Sequence, residues 1–344
     1  MTAGAPPTAA PGGWGRRVAV AGLGATLVLL AVAELSIGQP IIPPARLPGI
    51  LFGDSGDLLE RLTVHELRLP RLILAVLSGA GFGLSGAILQ VVLRNPLASP
   101  ELLGVSAGAS LAMAVVLLLG VPVVFALHPV AALAGGLSGG IAVLLASHGA
   151  RSPVEAALTG VAVAALLNGM ILAVIGLAAS SGAVQVFFLF TVGNLANLSW
   201  NHVGLVWPWL AAGIPATLLL SRTANVLQLE DDVSSSLGAR TRRLRAIFIM
   251  LAALLVAAVV AVAGPIAWVG LLAPHLAGLL VGRPDAQLVF PAAILIGALL
   301  VLGSDVMAKT VAYPREVPVG LCTTLLAAPP ILWLLRRSGS RLSR

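Results

Sequence analysis

Few side chains in this sequence could do chemistry in an apolar environment. Glu34 lies near the end of the first apolar run, and Asp305 near the end of the ninth, four residues before Lys309, the sole lysine. Ionisable groups inside membrane segments are costly, so each is a functional candidate. An ion-coupled carrier needs carboxylates or histidines near the bilayer midplane. Their scarcity argues against a secondary transporter built on inverted repeats. His65, His128, His148, His202 and His275 show no metal-ligand spacing, and His275, after Pro274, reads as a structural hydrogen-bonding group. Cys322 stands alone in an apolar stretch, which excludes a disulfide or thiolate zinc site and leaves a packed thiol. No acids pair within a run as an intramembrane enzyme would require. Gly303–Thr310 nearly spells a P-loop, but Ala308 stands where the phosphate-wrapping glycine belongs. The chain thus carries no cofactor or metal signature. If ATP drives it, ATP and Mg bind to another chain.

These residues are held by elements that must lie in lipid. Of the 344 residues 58% are hydrophobic and only 10% charged, and the mean hydropathy is +1.03. A soluble domain carries about 25% charged residues. A bilayer-crossing helix needs about 20 residues. Runs of roughly that length recur at Val18–Gly38, Leu72–Leu93, Leu102–Leu119, Pro129–Ala146, Val154–Ala179, Val203–Leu220, Leu244–Ala263, Ala267–Val281, Val289–Met307 and Val319–Leu335. The pattern predicts an all-α, polytopic bundle of ten spans over residues 18–337, the eighth short or broken. The runs are continuous rather than alternating, which disfavours a β-barrel. Residues 1–17, rich in Pro, Ala and Gly before Arg16-Arg17, read as a disordered cytoplasmic tail, and 338–344 as a second tail. The first run is too long for a cleaved signal and reads as a retained span.

With the first terminus inside, fourteen basic residues fall in inner segments and six outside (Arg46, Arg61, Arg68, Arg71, Lys309 and Arg315), together all 20 Lys and Arg. That asymmetry predicts cytoplasmic termini. The net charge of +7 therefore reflects topology rather than nucleic-acid binding. The outer segment 39–70 is long and mixed in charge. The inner segment 221–245 is the most polar stretch, with Glu230-Asp231-Asp232, Leu237-Gly238 and the basic run Arg240–Arg245. It reads as a solvated loop or as a short helix pair gripping a cytoplasmic partner. Gly79, Gly83 and Gly86, and the doublets Gly135-Gly136 and Gly139-Gly140, have the small-residue spacing of close helix packing in lipid.

An ordered series of motifs now stands out. Arg68-Leu69-Pro70-Arg71 opens the second run. Ser85-Gly86-Ala87 with Gln90 follows, then Arg94-Asn95-Pro96-Leu97-Ala98-Ser99-Pro100 and Leu103-Gly104-Val105-Ser106-Ala107-Gly108-Ala109. Later come Gly264-Pro265-Ile266, Val269-Gly270-Leu271-Leu272-Ala273-Pro274-His275, Glu316-Val317-Pro318-Val319-Gly320 and Ala328-Pro329. In this order the set closely resembles the FecCD-type permeases of ABC importers for iron siderophores, haem and cobalamin, from about Val18 to Arg337. The resemblance implies the type II ABC importer permease architecture in the bacterial cytoplasmic (inner) membrane. It implies a second permease copy forming a homodimer or close heterodimer around the path. Two ATPase subunits dock inside, and an extracytoplasmic substrate-binding protein delivers cargo outside.

By the same resemblance, Arg68, Arg71 and Lys309 face outward and dock the binding protein. Glu230, Leu237, Gly238 and Arg240 belong to the ATPase-coupling segment. Ser152 and Pro153 take the place of the cytoplasmic gate. The sequence departs from the family where Ala277-Gly278 replaces an expected arginine, at Asp285-Ala286-Gln287, and at Phe190-Thr191-Val192-Gly193-Asn194-Leu195 near the expected path. The reading is an import permease without covalent chemistry. Its cargo is a chelate, ferric siderophore first, then haem, then cobalamin.

Overall fold

The computed structural model describes residues 13–53, 56–149, 153–178, 181–229 and 241–342. Every regular element among them is helical. In chain order the α-helices are α1 (Gly13–Ser36), α2 (Leu47–Phe52), α3 (Leu58–Leu62), α4 (Leu69–Val92), α5 (Val105–Leu118), α6 (His128–Ala146), α7 (Pro153–Gly176), α8 (Ser181–Val192), α9 (Trp200–Leu219), α10 (Ser221–Leu227), α11 (Thr241–Ala263), α12 (Val269–Val281), α13 (Ala286–Thr310) and α14 (Val319–Leu342).

Each of the ten expected runs carries a helix, but the span count is not so simple. Among the described residues seven helices are long and apolar enough to cross a bilayer, the second of them running unbroken from Leu58 to Val92. Four more apolar helices are shorter: Val105–Leu118, Ser181–Val192, Val269–Val281 and Val319–Pro330. The helix α8 falls between the fifth and sixth expected runs. Its 12 residues reach only about 18 Å at 1.5 Å per residue, too little to cross and too little to register as a run of spanning length.

The helix α4 sits at the centre, packed against α9, α11, α12 and α13. Its glycines decide this. A Cβ on Gly79 would lie 2.1 Å from the Gly297 carbonyl oxygen of α13, and one on Gly83 would lie 2.3 Å from that of Ala293. In lipid, helices gain no hydrophobic driving force by associating, so close backbone approach supplies the packing attraction. The doublets of α6 divide the same task. Gly135 and Gly139 face the α5 backbone, while Gly136 and Gly140 lie against Ala257 and Ala253 of α11.

At the end where α4 begins, the segment between α1 and α4 folds into α2, α3 and a π-helical turn over Thr63–Arg68. Pro70 supplies no N–H to the Glu66 carbonyl, which accounts for the widened turn just before it. Leu35, Ile42, Leu47, Ile50 and Val64 form a small separate core under this cap.

Replacing Gly297 by Ala pushes a methyl into backbone and is expected to cost about 1–3 kcal/mol. Gly22→Ala on α1, where nothing lies within 4 Å of the added carbon, is neutral. Thermal unfolding of the two variants in detergent checks the contrast. Equal melting temperatures would refute the seam.

Candidate functional site

Two polar sites mark opposite ends of the α4–α13 pair. At the end where α4 begins, Arg71 Nε and Nη2 donate to Asp305 Oδ2 and Oδ1, both at 2.8 Å. Arg71 Nη1 donates to Glu316 Oε2 at 2.7 Å. Its Nε also lies 3.7 Å from Glu34 Oε1. Lys309 donates to the same Glu34 oxygen. Arg68 donates to the backbone carbonyls of Leu35, at 2.6 Å, and Pro40. Glu34 and Asp305 are fully buried, and Arg68, Arg71 and Lys309 nearly so. Only Glu316, at 44% side-chain exposure, reaches the surface.

Helical spacing assembles this network. Asp305 and Lys309 are four apart on α13, so they share a face. Arg68 and Arg71 are three apart across the π-turn and enter α4 together. Glu34 comes from the last turn of α1. Three acids balance three bases, which limits the desolvation cost of burying them. The planar fork of Arg71 meets Asp305 bidentately, the strongest form of such a pair. Glu34 Oε2 has no hydrogen-bond partner among the described residues.

The expected outward-facing charges are therefore turned inward. Arg68, Arg71 and Lys309 spend their donors on acids and carbonyls of their own chain, because burial leaves no water to satisfy them. The residues that complete the network are Glu34, Asp305 and Glu316. The i, i+4 spacing of Asp305 and Lys309 was a visible signal; the arrival of Glu34 and Glu316 from distant segments was not. The segment resembling a P-loop lies within α13, with Lys309 pointed at Glu34.

At the opposite end, α4 stops in a turn led by Arg94, whose φ is +48°. The amide of Arg94 bonds to Val91 O at 3.3 Å and that of Asn95 to Gln90 O at 3.2 Å, a helix stop that usually places glycine where Arg94 stands. Asn95 Oδ1 then accepts from the Leu97 amide at 2.9 Å. This turn directs Arg94 Nε onto the Leu227 carbonyl at the end of α10, at 2.8 Å. The helix α10 is held from its other side by Asn225. Its Nδ2 donates to Asp285 Oδ1 at 3.0 Å, and its Oδ1 accepts from the Ala286 amide at 2.8 Å and from Gln228 Nε2 at 3.0 Å. Asp285 in turn caps α13 through the Gln287 amide. The departure at Asp285-Ala286-Gln287 thus falls at an anchored joint. Arg242, at the start of α11, donates to the His148 carbonyl after α6.

Of the expected coupling residues, Glu230, Leu237, Gly238 and Arg240 lie outside the described residues, as does Ser152 of the expected gate. Pro153 opens α7. The helix α10 forms the start of the polar segment 221–245.

Three motifs far apart in sequence meet beside α8. Gly193 has φ +83° and Gly264 φ +70°. The Asn194 amide bonds to Ala263 O at 2.8 Å and the Gly320 amide to Gly193 O at 3.2 Å. A Cβ on Gly320 would lie 1.7 Å from Val192 O. The segment Phe190–Leu195, Gly264-Pro265-Ile266 and the glycine of Glu316–Gly320 form one backbone junction.

A multi-helix membrane bundle, with one polar network closed on itself and a short helix clamped at the other end, has the build of a transport subunit. Among the described residues no group of three or more His, Cys, Asp or Glu could hold a metal. The FecCD transport family pattern matches residues 26–337, and the chain belongs to that family. It is similar to the Fe(3+) dicitrate transport system permease protein FecC of Escherichia coli (strain K12), 36% identical over 95% of this chain and 97% of that one. It is 38% identical to the Fe(3+)-citrate import system permease protein YfmE of Bacillus subtilis (strain 168), over 91% of this chain and 93% of its counterpart. Identity to the hemin transport system permease protein HmuU of Yersinia pestis is 36%, covering 92% of this chain and 95% of the other. A solved metal-chelate type ABC transporter in an inward-facing conformation superposes with a TM-score of 0.82 at 26% identity, over 93% of this chain and 99% of its own. The chain is a multi-pass permease subunit of an ABC importer, not an enzyme.

Removing one partner of the buried pair, by Arg71→Ala or Asp305→Ala, is expected to cost about 3–5 kcal/mol. Glu316→Gln, at the exposed edge, is expected to cost about 0–1 kcal/mol. Chemical unfolding in micelles separates the two outcomes. A Glu316 variant as unstable as the Asp305 variant would refute the ranking.

Proposed function

We propose that the chain is one of two permease halves of an importer for a ferric chelate, with citrate- and siderophore-type complexes first and haem second. The observation that carries the reading is the clamp on α10. A seven-residue helix entering the most polar segment of the chain is tied by Arg94 to α4 and by Asn225 to α13. Such ties suit a segment that receives force from a nucleotide-hydrolysing partner. The kinds of cargo follow relatives named for ferric citrate, hydroxamate and haem transport. ATP and Mg would bind on two ATPase subunits at the α10 end, which the arginine count assigns to the cytoplasm together with both termini. A second copy of the chain would complete the path as a homodimer.

The end bearing the Arg71 network would then face outward and receive the binding protein. Arg68, Arg71 and Lys309 would serve docking from beneath, by fixing the loop that presents Glu316. The exposed Arg315 and Arg46 would supply charge that orients an encounter.

The decisive experiment reconstitutes the chain with its ATPase and binding protein in vesicles and follows ferric citrate and haem entry in parallel. ATP-dependent uptake of ferric citrate is expected, and none by the chain alone. Accumulation by the chain alone, or uptake that survives ATP depletion, would overturn the reading. Asn225→Ala removes both bonds that tie α10 to α13 and leaves the bond from Arg94. It is expected to lower chelate moved per ATP several-fold while ATP hydrolysis continues. Unchanged stoichiometry in that variant would remove α10 from the power path.

A further inference from the structure

A groove of about 570 Å³ opens on the flank of the bundle between α1, α12 and α13. Its walls are apolar, formed by Val20 and Ala21 of α1, Leu280 of α12 and Leu288, Pro291 and Leu295 of α13. Gln287 is the polar residue lining it, and Pro291 supplies no N–H to the Gln287 carbonyl. The size falls within the range of about 300–1,000 Å³ for small-molecule sites.

The mouth is basic. The turn that joins two of its walls, from Gly282 to Asp285, carries Arg283 with 57% of its side chain exposed. Its contact with Asp285 is long, at 3.7 Å, and Asp285 Oδ1 is already engaged by Asn225 and by the Gln287 amide. An apolar trough beside an exposed arginine matches an acyl chain that ends in a phosphate. Basic groups beside grooves between membrane helices select anionic headgroups in this way. A zwitterionic lipid would bring its own ammonium toward the same arginine. A second copy docked symmetrically through this face would bring two Arg283 side chains together.

We propose that this groove is a binding site for an anionic phospholipid, the acyl chain lying between α1 and α13 and the phosphate meeting Arg283. The purified protein is incubated in detergent with phosphatidylglycerol or phosphatidylcholine of equal chain length, and retained lipid is counted by native mass spectrometry. Several-fold preferential retention of phosphatidylglycerol is expected. Arg283→Gln abolishes the preference while leaving weak binding of both lipids. Ala21→Trp, at an exposed position of α1, fills the trough and loses both. Equal retention of the two lipids by the unaltered protein overturns the proposal. So does a preference that survives either substitution, or a second protein chain covering the groove with no lipid retained.

Discussion

The bidentate pair of Arg71 and Asp305 is the contact on which the rest of the structure turns. It joins the first turn of α4 to the last turns of α13 where both are sealed from water. Below it the two helices run antiparallel along a seam of Gly79, Gly83, Ala293 and Gly297, close enough for backbones to touch. Small residues give close packing but tolerate sliding, because they present few projections to lock a register. A directional pair at one end removes that freedom. In hydrocarbon the alternative to the pair is two uncompensated charges, so register and charge burial are settled by one contact.

At the far end the same two helices hold α10, through Arg94 in the turn after α4 and through Asn225 with Asp285, the cap of α13. The pair therefore forms a continuous strut between the end that holds α10 and the end that holds Glu316. Close packing of its seam resists deformation of one helix against the other. Side chains at both joints are polar and oriented, whereas the middle is glycine and alanine.

The class of fold was legible in the sequence because lipid makes its demands in composition. Apolar runs of spanning length, glycines four apart and an arginine asymmetry all survive without knowledge of contacts. What escaped was of two kinds. The helix α8, with 12 residues, is shorter than any window tuned to a bilayer, and its role is to bring Gly193 against the 264–266 turn. The fate of Arg68, Arg71 and Lys309 also escaped, because it depends on Glu34 and Glu316. Those acids sit 37 residues before and 245 residues after Arg71, or nearby only once α1, α4 and α13 have packed. A charge at the edge of an apolar run looks the same in sequence whether it meets water or a distant carboxylate.

That ambiguity bears on how an outer surface could recognise a partner. A surface arginine offers its charge directly, and its contribution is modest and screened by salt. A buried arginine offers none, yet it decides the position of whatever acid reaches the surface beside it. Here Arg71 commits two donors to Asp305 and its third to Glu316, so the exposed member of the network is acidic. The exposed charges described in this part of the chain, Glu316, Arg315 and Arg46, are of both signs. Recognition by a surface of mixed charge rests on the spacing of opposite charges, and here the position of Glu316 is set by the buried Arg71.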